Sequence, residues 1–317
     1  MSDARRVAFL EMAGWSSPSL PPLYARLVRE LAEEPLVDEL VDEWRFDVPL
    51  RLLGGLHWLV LAGRASWDDV PGALAREREF LRRFVAEQAV QTNEVQRSWV
   101  LLPCFLEVAR RTGADVLDLV ELGPSAGLNL LFDRYRYRYA AGEWGSSTGG
   151  LVLAGDERRP VPAELFGRPV RVRERLGIDR SPVDASTEDG ARLLRAFVWA
   201  GQDERLAQLE RALAVLRRDP PQLVRGDFVE LLPAVLERRR EGALTVVFQF
   251  AAIEYLSPEQ VGRLDEALDG AGRRGPLAFV TRARHVDGLE LRLWPGGERA
   301  IVGRADGHGA WLEWLAQ

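Results

Sequence analysis

The segment Glu121-Leu-Gly123-Pro-Ser125-Ala-Gly127 sets an acid, two glycines and a small hydroxyl residue at the end of the apolar run Val116-Leu-Asp-Leu-Val-Glu-Leu122. Gly123 and Gly127 let backbone approach a ligand closely and take positive φ. Free N–H groups at the start of the helix expected near Leu128 would face the same place. An acid at a strand tip suits a cationic or hydroxyl-rich ligand, whereas a pyrophosphate prefers an uncharged, glycine-rich approach. The plain alternative is a strand-to-helix turn in which glycine satisfies geometry alone.

Three further strand ends carry polar side chains. Gly177-Ile-Asp179 ends in an acid, although Asp179-Arg-Ser-Pro182 also has the composition of a turn. In Arg225-Gly-Asp227-Phe228, Asp227 is placed to cap a helix, which does not exclude contact with a bound ligand. Phe248-Gln249-Phe250 leads to Glu254-Tyr255-Leu-Ser257-Pro258, where Gln249 and Tyr255 are the candidates to meet a substrate. Ser257 before Pro258, with Gln260 three residues on, reads as a capping box and explains much of that segment structurally.

Away from these tips, Gln91-Thr-Asn93-Glu94-Val-Gln96-Arg97 is a dense polar cluster before the apolar stretch Ser98 to Leu106. On a helix Asn93 and Arg97 would share a face at i and i+4, with Glu94 beside Arg97 at i+3. Surface pairing is the ordinary account; the functional one has Asn93 and Arg97 gripping a polar substrate. Asp306-Gly-His308-Gly309 offers a histidine in a glycine-rich turn, incidental unless a proton acceptor is needed near neutral pH. If a base is required, Glu94 and His308 are the candidates.

Composition removes several classes of chemistry. All 42 residues of the Lys and Arg class are Arg, so neither a Schiff-base lysine nor a phosphate-loop lysine exists. The single Cys104 lies in an apolar run, where a thiol behaves as a small hydrophobe, and fits a reducing, cytoplasmic setting. No HExxH, Cys and His cluster, EF-hand spacing or G-x-S-x-G elbow occurs, so no metal site is expected. A net charge of -6 without runs of like charge does not favour a nucleic-acid partner, and no window has the length of an uncharged membrane span. The oligomeric state is left open.

The elements that must position these residues follow from periodicity. From Leu20 to about Arg111 apolar residues recur at helical spacing, with Pro35, Pro49 and Pro71 suited to first turns and Pro103 inside a helix expected from about Asn93 to Arg111. From Asp115 the pattern becomes strand, loop, helix. Further strands are expected at Val170 to Ile178, Gln222 to Arg225, Leu244 to Phe250 and Pro276 to Thr281, with helices at Asp189 to Arg217, Phe228 to Arg240 and Pro258 to Ala271. Leu289 to Trp294 and Arg299 to Gly303 would add an antiparallel hairpin. The expectation is therefore a helical region over 1–112 and an α/β domain over 113–317 with a mostly parallel, seven-stranded sheet and an insertion near 135–165. Within that insertion, Arg134-Tyr-Arg-Tyr-Arg-Tyr139 alternates with period two: a half-buried strand with a solvated Arg face, or a platform on which tyrosines stack bases. The Gly and Ser tract Gly145 to Gly150 follows it.

Taken together, Gln91-Thr-Asn-Glu-Val-Gln-Arg97, Glu121-Leu-Gly-Pro-Ser-Ala-Gly-Leu-Asn129, Asp133-Arg-Tyr135 and Val224-Arg-Gly-Asp227 resemble an uncharacterised bacterial family, domain of unknown function 2332, over nearly the whole chain. Glu121 to Gly127 also resembles motif I of class I S-adenosylmethionine-dependent methyltransferases, with Ser125 in place of the middle glycine. That resemblance implies a Rossmann-like fold in which Glu121, Gly123, Ser125, Gly127 and Asn129 approach S-adenosylmethionine. It also implies that Asp179 accepts from the ribose hydroxyls and that Asp227 lies by the adenine. The implied activity is methyl transfer to a small molecule, by proximity and alignment. The alternatives are a non-catalytic binding or regulatory protein that keeps the fold and, last, a nicotinamide-dependent oxidoreductase, whose first turn would need a second glycine.

Overall fold

The apolar run ending in Glu121 and Leu122 folds as strand β1 (Val116–Leu122), paired with a strand on each side and buried along nearly its whole length. The structure is a computed structural model that describes residues 2–16, 20–146, 150–282 and 287–316. After β1 come β2 (Arg136–Tyr139), β3 (Gly142–Gly145), β4 (Val152–Leu153), β5 (Asp156–Arg159), β6 (Arg171–Asp179) and β7 (Gln222–Arg225). Then follow β8 (Leu244–Gln249), β9 (Leu277–Arg282), β10 (Gly288–Trp294), β11 (Glu298–Ala305) and β12 (Trp311–Trp314). The helices are α1 (Ser2–Ser16), α2 (Pro22–Glu33), α3 (Val48–Leu61), α4 (Val70–Arg76), α5 (Arg78–Glu87), α6 (Arg97–Thr112), α7 (Ala163–Phe166), α8 (Glu188–Ala196), α9 (Asp203–Leu216), α10 (Phe228–Glu237) and α11 (Pro258–Arg274).

The chain divides into two compact units, Met1–Thr92 with Val183–Glu210, and Asn93–Pro182 with Arg211–Gln317. The first contains α1 to α5 and α8, and buries Phe9, Met12, Leu27, Leu31, Leu52, Leu56 and Leu59 in one apolar cluster. Pro49 and Pro71 stand in first turns, where a missing N–H goes unmissed. His57 lies buried within this unit with Nδ1 3.2 Å from the Ala196 carbonyl. No helix among the described residues is long and apolar enough to cross a membrane.

The second unit is mixed α/β. Among the described residues nine strands make one sheet in the order β5-β12-β11-β10-β9-β8-β1-β6-β7, and β3-β2-β4 make a small one. β7, β6, β1, β8 and β9 run parallel, while β10, β11 and β12 continue antiparallel. Nine strands replace the expected seven because β12 pairs with β11 and β5 then pairs with β12. Val120, Leu122, Ile178 and Val247 pack with Phe228, Leu232, Leu264 and Leu268 of α10 and α11. Since side chains alternate along a strand, Leu119 and Glu121 point to the other face, where Phe105 of α6 meets the Phe248 ring at 5.1 Å.

Four local expectations change. After Gly127 there is no α-helix but a 3₁₀ segment, Asn129–Arg134, broken at Leu131 (φ -97°, ψ 18°), because the apolar run is too short to sustain one. The Asp189 to Arg217 helix is two, α8 and α9. Helix α6 begins at Arg97, so Asn93 and Glu94 lie in the loop before it and share no helical face with Arg97. The tyrosines at and just before β2 are not a stacking platform: Tyr135, Tyr137 and Tyr139 are buried, and the Tyr135 and Tyr137 hydroxyls donate to the Leu128 and Phe132 carbonyls at 2.8 and 2.7 Å. Of the Gly145 to Gly150 tract, residues 147–149 lie outside the described residues, as does His285.

Candidate functional site

Counted along the chain, the parallel strands lie in the order third, second, first, fourth, fifth, so the order reverses between β1 and β8. In an open parallel sheet the crevice beyond the carboxyl ends at that reversal is where a ligand fits. Glu121 stands at this point, paired in register with Phe248 of β8 and Gly177 of β6.

Glu121 is 5% exposed, and among the described residues its Oε2 has no hydrogen-bond partner. Burial pushes its carboxyl up to about 8; the Asn129 hydrogen bond and the Arg97 charge pull it down, and Asp179 pushes it up. At neutral pH the group is therefore mostly protonated. Asn129 is oriented by Ser98, whose hydroxyl donates to Asn129 Oδ1 at 2.7 Å and so leaves the amide N–H groups for Glu121. Ser98 escaped the sequence reading; its only signal was a hydroxyl in an otherwise apolar helix start. Such a buried polar side chain is informative because it must find a partner.

The loop after β1 is held by Asp179. The Ser125 N–H donates to Asp179 Oδ2 at 2.8 Å and the Ser181 N–H to Oδ1 at 2.7 Å, while the Asp179 carbonyl accepts from the Gly226 N–H at 2.8 Å. The tips of β1, β6 and β7 are thereby laced together. Ser125 takes φ 55°, the left-handed conformation that favours glycine. Gly123 (φ 72°) admits no side chain, since a Cβ there would sit 2.7 Å from Ala252 Cβ. At Gly127 (φ 80°) the obstacle is Pro221 Cγ, also at 2.7 Å.

The segment before α6 closes over the same loop. Asn93 Nδ2 donates to the Pro124 carbonyl at 3.1 Å. Arg97 Nε donates to the Gly307 carbonyl at 2.9 Å, and its guanidinium lies 5.2 Å from the centre of the Phe250 ring. Glu94 is 4% exposed, and its Oε2 lies 3.7 Å from His308 Nδ1. A family model described as "Uncharacterized protein conserved in bacteria (DUF2332)" matches residues 6–314. The chain belongs to the DUF2332 family. No curated protein matches it.

The remaining candidates of this DUF2332 chain make other contacts. Asp227 caps α10, with Oδ1 accepting from the Val229 N–H at 2.9 Å, and pairs through Oδ2 with Arg180 at 2.6 Å. Its carboxyl lies below the usual range: partial burial pushes it up, but Arg180 and the Val229 N–H pull it down further. Gln249, 1% exposed, donates to Thr281 Oγ1 and to the Arg282 carbonyl at 3.3 Å, and accepts from the Ile253 N–H at 3.2 Å. Its amide thus ties β8 to β9. Tyr255 is 59% exposed at the end of the 3₁₀ turn Ala252–Tyr255, and the Ser257 and Gln260 capping box that follows is formed.

Proposed function

We propose that this chain is an S-adenosylmethionine-dependent methyltransferase acting on a small molecule. The observation that carries the reading is Glu121: a buried carboxyl at the reversal point of a parallel sheet, with one oxygen lacking a hydrogen-bond partner among the described residues. Leaving such an oxygen unpaired costs on the order of 1–3 kcal/mol, so it favours a ligand that supplies a hydrogen bond or positive charge. The strand order, third-second-first-fourth-fifth, is that of doubly wound nucleotide-binding sheets and supports a Rossmann-like methyltransferase fold. When bound, S-adenosylmethionine supplies an electrophilic methyl group on a sulfonium. Glu121 would face its amino-acid or ribose portion, Gly123 to Gly127 would give it close backbone, and the second lone pairs of Asp179 would take ribose hydroxyls.

A second reading, a non-catalytic binding or regulatory protein that keeps the fold, is favoured by one feature. Both Asp179 oxygens already accept backbone N–H groups, and Gly127 is closed over by Pro221. Calorimetric titration with S-adenosylmethionine, S-adenosylhomocysteine and NAD separates the readings. Binding of the first two, weakened at least tenfold by Glu121→Gln, supports the methyltransferase. Silence from all three leaves the non-catalytic protein, and binding of NAD alone points to an oxidoreductase.

A further inference from the structure

The turn that carries His308 is fixed onto the start of α6. Asp306 Oδ1 accepts from the Ala310 N–H at 2.6 Å and the Trp311 N–H at 3.3 Å, and Oδ2 accepts from the His308 N–H at 3.2 Å. From α6 and its approach, Arg97 Nε holds the Gly307 carbonyl at 2.9 Å and Gln96 Nε2 the Gly309 carbonyl at 3.3 Å. Gly309 (φ 79°) packs so closely that a Cβ would lie 2.7 Å from the Gln96 carbonyl oxygen. The histidine is therefore not on a loose loop, although its turn is rich in glycine. Its Nδ1 lies 3.7 Å from Glu94 Oε2, with side-chain exposures of 53% for His308 and 5% for Glu94. The buried carboxylate stands behind the ring and the ring faces outward. Besides Glu94 at the ring, the charged side chains that bond to the turn are Asp306 and Arg97.

We propose that Glu94 and His308 form a carboxylate–imidazole pair in which His308 Nε2 takes a proton from the methyl acceptor, so that the acceptor is a hydroxyl compound or an amine bearing N–H. The role in methyl transfer rests on the reading above. With Nδ1–H directed at Glu94, Nε2 keeps its lone pair, and Glu94 acts as the positioning residue. At 3.7 Å the contact is an ion-pair distance, which shortens as the ring gains charge. As the acceptor's lone pair forms the new bond to the methyl carbon, the carbon–sulfur pair returns to sulfur and the O–H or N–H proton passes to Nε2. A thioether or tertiary amine would have no proton to give and no use for the pair.

Two measurements on the full chain test this. The first is ¹⁵N-histidine NMR of the neutral ring, assigned with His308→Gln: the wild type should hold His308 as the Nδ1–H tautomer, and Glu94→Ala should shift the ring toward the Nε2–H form. A wild-type ring in the Nε2–H form overturns the pair. The second follows S-adenosylhomocysteine formation with a deproteinised bacterial metabolite extract as acceptor source, alongside cofactor affinity. His308→Gln should cut turnover about 100-fold or more at unchanged cofactor Kd, and Glu94→Ala should cut it about tenfold, also at unchanged cofactor Kd. Full turnover by His308→Gln overturns the base while leaving the methyltransferase intact. A wild type that binds no S-adenosylmethionine overturns both the methyltransferase and the base's part in it, even with the Nδ1–H tautomer present. Cofactor binding without turnover on the extract overturns the assigned acceptor class.

Discussion

The Ser125 N–H donates to Asp179 Oδ2 at 2.8 Å across 54 residues of chain, joining the loop after β1 to the tip of β6. Because Ser125 holds φ 55°, the conformation depends on this acceptor to offset its strain. A hydrogen bond to a charged group contributes about 1.5–3 kcal/mol, and Asp179 accepts two from backbone. Asp179→Ala should therefore lower stability by roughly 2–4 kcal/mol in urea unfolding, with Asp179→Asn retaining part of it. Equal midpoints for Asp179→Ala and wild type would show that the loop is held by other means.

Glu121 gives the folded chain a signature in pH. Its carboxyl titrates at about 8 against an ordinary 4.5, so between those values the folded state binds a proton that the unfolded state has lost. Stability from this group is fully present below about 4.5 and is lost as pH rises through about 8, a downward slope worth on the order of a few kcal/mol. Glu121→Gln keeps the shape without the titration and should flatten the slope. Asn129→Ala, which removes a hydrogen bond that lowers the Glu121 pKa, should extend it to higher pH. Denaturant unfolding from pH 5 to pH 9 reads all three proteins; a wild-type profile as flat as that of Glu121→Gln would refute the buried titration.

What could be read from residue types and what could not divide along physical lines. Val116–Leu122 and Leu244–Gln249 are central strands covered on both faces, so each is mostly apolar, with Asp118 and Glu121 in the first and Thr245 and Gln249 in the second as its polar residues, and each was legible. Asp156–Arg159 is a strand of four charged residues at the sheet edge, half or wholly exposed, and nothing in its hydropathy separates it from a loop. Tip residues such as Glu121 and Asp179 were legible because a strand followed by a turn fixes which end faces the crevice. Ser98 and Asn129 meet only because α6 lies on that face of the sheet, and the nearness of Glu94 to His308 spans 214 residues; neither relation exists in local spacing. Asn93 and Arg97 illustrate the converse, since the periodicity that seemed to join them stops at the helix start.

The alternation of β2 makes a separate prediction. Tyr137 is buried, and its hydroxyl donates to the Phe132 carbonyl at 2.7 Å. Tyr137→Phe leaves the packing and removes that hydrogen bond, the carbonyl keeping only the Tyr135 N–H at 3.3 Å, which should cost about 1 kcal/mol in unfolding free energy. Replacing the outward Arg138 by Gln should change stability by less than about 0.5 kcal/mol, because its contact with Glu143 is exposed on both sides. Reversed magnitudes would place the arginine face inward and contradict the observed burial.

Among the described residues of the second unit, Arg175 and Asp133 form the best-shielded ion pair, with side-chain exposures of 10% and 9%. Arg175 Nη2 reaches Asp133 Oδ1 and Oδ2 at 2.8 and 2.6 Å, and Nε donates to the Leu130 carbonyl at 3.1 Å, so one guanidinium fixes the 3₁₀ segment against β6. Removing one partner of a buried pair leaves a desolvated charge and costs about 3–5 kcal/mol. Arg175→Met should therefore destabilise by that amount, whereas Arg175→Met combined with Asp133→Leu should recover much of the loss by removing both charges. The double-mutant cycle, read by denaturant unfolding, distinguishes a true coupling from simple loss of packing. Additive effects would mean that the 3₁₀ segment is held by its apolar side chains Leu130, Leu131 and Phe132 alone.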